Sequence, residues 1–139
     1  MIASASWKSG TTQYEARSES GHALLFDTDA AHSEGPSPME AVLAALCGCT
    51  SVDVVSILEK KRQPVTSLVV SAVSEQAPAP PRVFTHIMLT YRVGGVLSRK
   101  AVEDAVALSK NKYCSVSKML EHSVKIDYMI EYADGEPAA

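Results

Sequence analysis

The chain has 139 residues, of which 46% are hydrophobic, 21% charged and 6% aromatic, with a formal net charge of -3. This balance excludes disordered and fibrous classes and fits one globular domain over residues 1–139. Lysines and arginines are dispersed apart from Lys60, Lys61 and Arg62, so no cationic field favours a nucleic-acid partner.

The first residues, MIASASWKSG, contain no basic stretch leading into an apolar run. The longest apolar run, Ala41 to Cys49, is too short for a bilayer, so the expectation is a cytoplasmic protein, neither exported nor membrane-bound. Weak strand patterns lie around Ile2 to Lys8, Thr12 to Arg17 and His22 to Phe26, separated by Ser/Gly-rich turns. Ser37 then stands as an N-cap before Pro38, with Glu40 three residues on, which is the capping-box arrangement. The helix it predicts runs to Lys60–Arg62, where cations suit the carbonyl end, and Pro64 stops it. Its first half is apolar or small on every side, the pattern of a central helix surrounded by protein.

Thr66 to Val73 is a further strand candidate, and Ala77 to Pro81 reads as a loop. Val83 to Val93 alternates, with Val83, Ile87, Leu89, Tyr91 and Val93 opposing His86, Thr90 and Arg92. Ser98 caps a second helix, in which Leu97 and Val102 form a hydrophobic staple and Val102, Ala105 and Val106 an apolar stripe ending near Lys110. A third, short helix starts near Cys114 or Ser115 and carries Val116, Met119 and Leu120 inward. Val124 to Tyr132 alternates again, with Val124, Ile126, Tyr128, Ile130 and Tyr132 on one face. Strands and helices are segregated more than alternated, which predicts an α+β fold.

Three cysteines do not make a structural disulfide framework; in a reducing compartment they point to catalysis, metal binding or inert burial. Cys47 and Cys49 lie roughly 200° apart around a helix, so at most one faces a given pocket. Cys49 is followed by the hydroxyls of Thr50 and Ser51, which could donate to a thiolate, and it is preferred over Cys47 in its apolar turn. The alternative is a packing cysteine. Cys114 falls at a helix start near Lys112, where amides and a cation favour thiolate.

Glu40 fits either an acid/base role or the capping box alone, and its helical phase is half a turn from Cys49. Asp53 shares the Cys49 face, where its charge would raise a nearby thiol pKa, bind a cation or close a hydrogen bond. His86 and His122 are too scattered to complete a metal site with the cysteines, and no phosphate-binding, dinucleotide or hydrolase motif is present.

GPSPMEAVLAALCGCTSVDVVSIL from Gly35 and KYCSVSKML from Lys112, in that order, make the chain resemble the OsmC/Ohr superfamily, closest to its OsmC-like branch. The resemblance implies antiparallel sheets packed on a long central helix, and an intertwined homodimer with active sites at the subunit interface. It also implies a peroxidatic cysteine at Cys49 and a resolving cysteine at Cys114. The superfamily's glutamate near the helix proline corresponds to Glu40, and its N-terminal arginine to Arg17, placed by position. The implied activity is a peroxiredoxin-like reduction of organic hydroperoxides or hydrogen peroxide, recycled by a dithiol reductant, with no metal or flavin cofactor. A noncatalytic stress-response, ligand-binding or redox-sensing module is the alternative, and thiol chemistry on another sulfur electrophile a third reading.

Overall fold

The computed structural model describes residues 1–135 and 137. They fall into two compact units, Met1–Leu43 and Ala44–Ala139. In the first, β1 (Ala3–Trp7), β2 (Gln13–Ser18) and β3 (Ala23–Asp27) form an antiparallel sheet in that order. Gly21 closes the second hairpin at φ 87, in the left-handed region that glycine enters without a steric penalty. The Asp27 carboxylate then organises the chain beyond β3, accepting from Thr12 Oγ1 at 2.6 Å and from the backbone of Asp29 and Glu34, both at 3.1 Å.

Helix α1 spans Pro38–Lys60. It starts with the capping box expected from Ser37: Glu40 N–H donates to Ser37 Oγ at 3.1 Å, and Ser37 N–H to Glu40 Oε1 at 3.0 Å. It ends at Arg62, whose φ of 57 permits Gln63 N–H to reach the Leu58 carbonyl and Arg62 N–H the Glu59 carbonyl, both at 2.9 Å. This pair of bonds satisfies carbonyls that the helix itself cannot.

The second unit adds β4 (Val65–Gln76), β5 (Phe84–Gly95), α2 (Arg99–Leu108), a π-helical turn (Ser109–Tyr113), α3 (Ser115–Leu120) and β6 (Lys125–Tyr132). Its sheet has the order β4-β5-β6. The α+β class is as expected, but this sheet is mixed: β4 and β5 are antiparallel, whereas β6 is parallel to β5. The helical segments between them supply the long crossover that a parallel pair requires.

On β5, Ile87, Leu89, Tyr91 and Val93 are buried as their alternation predicts. Val83 is not; it is exposed, and Phe84 is buried in its place. A register shift opposite Glu75 and Gln76 changes the strand's parity there, so the inward residue moves by one. On β6, Val124 and Ile126 are buried, with exposure growing toward Tyr128 and Met129.

Helix α1 packs on β5, its Thr50 bonded to Tyr91. Leu46, Thr50, Val54 and Leu58 form the buried stripe at a spacing of one helical turn. The expected enclosure on every side is not what the chain alone provides, because Ala44, Ala45, Gly48 and Val52 are exposed. By length and composition the helix is also apolar enough to cross a bilayer, although its stripe is spent on the sheet. Ser98 caps α2 as predicted, its Oγ accepting Ala101 N–H at 3.3 Å, with Leu97 and Val102 both buried. In α3 the inward residue is Ser117, while Met119 faces outward, because Cys114 as N-cap sets the phase of the short helix.

Candidate active site

The turn that carries Cys114 reaches Cys49 on α1. The two thiols are near enough to act on one another, and Cys49 is among the groups that raise the Cys114 pKa. All three cysteines are free; Cys114 is buried, and Cys47 and Cys49 are partly exposed. Cys114 also caps α3, its sulfur accepting Ser117 N–H at 3.4 Å.

The cap does not make Cys114 a thiolate, contrary to the expectation from its helix start. Burial pushes the thiol up to about 11, outweighing the Ser117 amide, with Cys49 and the Asp53 charge acting in the same upward direction. Lys112 lies instead over the Tyr113 ring, 5.2 Å from its centre. Burial raises Cys47 as well.

The hydroxyls after Cys49 are also used differently from the expectation that they solvate its sulfur. Ser51 donates to the Cys47 carbonyl at 2.7 Å. Thr50 turns inward and joins a buried chain: its Oγ1 is 2.6 Å from Tyr91 Oη and 2.7 Å from Ser109 Oγ, and Ser109 donates to Asp53 Oδ2 at 3.0 Å. An ionised carboxylate only accepts, so Asp53 fixes the direction of every donor: Ser109 gives to Asp53, Thr50 to Ser109, and Tyr91 to Thr50. Burial, the main cause, holds the Tyr91 phenol protonated up to about 12. Thus Asp53 closes a hydrogen bond, one of the roles open to it from sequence. It also borders a cleft of about 510 Å³ together with Lys60, Lys61, Leu108 and Tyr113.

Tyr91 and Ser109 were not singled out from sequence. The available signal was a hydroxyl inside an apolar stripe: Thr50 sits four residues from both Leu46 and Val54, and Ser109 follows Ala105 by four. Such groups need buried partners, since an unpaired one is costly.

Glu40 and Arg17 belong to the first unit. Glu40 is engaged in the capping box and lies 3.5 Å from His32 Nε2. Arg17 pairs with Glu15 on its own strand at 2.7 Å. His86 Nε2 is 2.8 Å from Asp127 Oδ2, and among the described residues no group of three His, Cys, Asp or Glu could hold a metal ion.

A family model described as OsmC-like protein matches residues 31–129, and so spans both cysteines and the whole of α1. Protein YhfA of Escherichia coli K12 is 46% identical over 132 residues, covering 94% of this chain and 97% of that one. An OsmC-like protein from Mycoplasma pneumoniae is similar in structure, with a TM-score of 0.83 at 14% identity, covering 94% of this chain and 95% of that one. An organic hydroperoxide resistance protein OsmC from Legionella pneumophila has the same fold, with a TM-score of 0.71 at 15% identity and the same two coverages, 94% and 95%. With its cysteine-bearing helix, mixed sheet and family match in agreement, the chain belongs to the OsmC-like family.

Proposed function

We propose that the protein reduces hydroperoxides through Cys49 and Cys114. The observation that carries this reading is the nearness of two free thiols, Cys49 standing close enough to Cys114 to raise its pKa. Their unequal surroundings divide the roles. Cys49 is partly exposed, which suits a nucleophile that must meet substrate; Cys114 is buried and held protonated, which suits a thiol that acts second.

In the first step the Cys49 thiolate attacks the terminal oxygen of the hydroperoxide. An S–O bond forms, the O–O bond breaks, and the alkoxide takes a proton to leave as alcohol. Cys49 is then a sulfenic acid. In the second step Cys114 gives up its proton to the departing hydroxide and its sulfur attacks Cys49. The S–S bond forms, the S–O bond breaks, and water leaves; a dithiol reductant restores both thiols by exchange.

The second expectation, a homodimer, is supported by the uncovered face of α1. Ala44, Gly48 and Val52 follow one another at helical spacing, Val52 is 70% exposed, and a Cβ on Gly48 would meet nothing within 4 Å. A second copy packing this face would remove apolar surface from water. Light scattering on an eluting peak tests it: a dimer mass supports the proposal and a monomer mass refutes it.

The activity is tested by following cumene hydroperoxide consumption with small dithiols as reductant. Turnover that disappears in Cys49→Ser and falls in Cys114→Ser is the expected result. Undiminished consumption in Cys49→Ser removes Cys49 from the nucleophile's role, and none in the parent protein favours a noncatalytic module.

A further inference from the structure

Ser109 touches both halves of the thiol pair's support. Its hydroxyl bonds to Thr50, the residue after Cys49, at 2.7 Å, and its carbonyl accepts Cys114 N–H at 2.8 Å across the π-helical turn. Both hydroxyl residues are fully buried, so water cannot substitute for either bond. Asp53 at one end and Tyr91 at the other leave the chain a single direction of donation. The Cys49 helix and the Cys114 turn are therefore joined at Ser109, which bonds to Thr50 and to Asp53 of α1.

We propose that Thr50 and Ser109 are positioning residues for disulfide closure: their buried hydrogen bond sets the Cys114 turn at the distance and angle from α1 that the Cys49–Cys114 bond requires. This deepens the proposed function and rests on the same thiol pair. A disulfide demands a sulfur separation near 2.05 Å and a dihedral near 90°, so closure is sensitive to small shifts. Attack on a peroxide by Cys49 alone makes no such demand on Cys114. The tie should thus govern the second step and spare the first.

The test uses the full reduced chain with Cys47→Ser to leave one thiol pair, and one equivalent of dithiobis(nitrobenzoate). Cys49 attacks the reagent, releasing the first nitrothiobenzoate and leaving a mixed disulfide. Cys114 then loses its proton to solvent and attacks the Cys49 sulfur; the new S–S bond forms as the old one breaks, and the second nitrothiobenzoate departs with the bonding pair. Thr50→Val keeps the shape and removes the hydroxyl, whereas Thr50→Ser keeps the hydroxyl. Because misplacement of about 1 Å can cost on the order of 100-fold in rate, Thr50→Val is expected to slow the second release about tenfold or more, with the first within about twofold. Thr50→Ser should restore closure, and Ser109→Ala should repeat the valine result. An unchanged second release in Thr50→Val and Ser109→Ala, or equal slowing of both releases in the valine and serine variants, overturns the proposal. No peroxide is present, so a parent protein that closes its disulfide yet ignores hydroperoxides would sink the proposed enzyme and leave the positioning role standing.

Discussion

The buried Cys114 thiol should make the fold sensitive to alkali, and the size of the effect follows from its surroundings. The ordinary thiol value of 9.0 applies to the unfolded chain, whereas burial lifts the folded value to about 11. Between these values the unfolded chain has released a proton that the folded one still holds, so stability is intact below the lower value and falls as pH rises toward the upper. The full gap is worth on the order of 3 kcal/mol, and about 1 kcal/mol of it is lost between roughly pH 8 and pH 10. Tyr91, lifted by burial from 10.0 to about 12, acts in the same direction and already contributes near pH 10, so a Cys114 variant is needed to separate the thiol. Urea unfolding of reduced protein at both pH values gives the loss directly. Cys114→Ala removes the titrating group, and the part of the loss due to it should vanish. Parallel losses in parent and variant would refute the reasoning, because the proton would then be held elsewhere.

Asp53→Asn keeps an acceptor for Ser109 and removes a charge that opposes Cys114 ionisation; thiolate absorbance should show Cys114 titrating at lower pH than in the parent. Leu58→Ala, at a fully buried position of α1, should cost about 2 to 5 kcal/mol in urea unfolding. Glu40→Ala should cost about 1 kcal/mol through loss of the capping box, and Glu40→Gln clearly less, since glutamine still accepts Ser37 N–H.

The elements were legible where the local code is strong. Ser37, Pro38 and Glu40 define a helix start by hydrogen bonding within four residues, and β5 and β6 carry period-two alternation over most of their length. What sequence could not supply were events decided at a distance. The bulge opposite Glu75 and Gln76 exchanged Val83 for Phe84, and the capping geometry of Cys114 turned Met119 outward. The direction of β6 depends on a crossover whose path no local pattern encodes.

At the candidate site the cysteines stood out by type, but their protonation did not. Proximity to a helix start and to Lys112 argued for a Cys114 thiolate, and burial reversed the balance. Thr50 was visible as a hydroxyl near Cys49, yet which way it turned was settled by Tyr91 and Ser109, residues brought to it by the sheet and by the π-helical turn. A polar residue in an apolar stripe was the only warning of that chain.

The most direct test of the thiol pair is intact mass and a non-reducing peptide map of reduced protein after one equivalent of cumene hydroperoxide. The expected result is the loss of two hydrogens and a peptide pair linked through Cys49 and Cys114. Thiols that stay unchanged after prolonged exposure, or sulfinic acid on Cys49 with no linkage to Cys114, would contradict it.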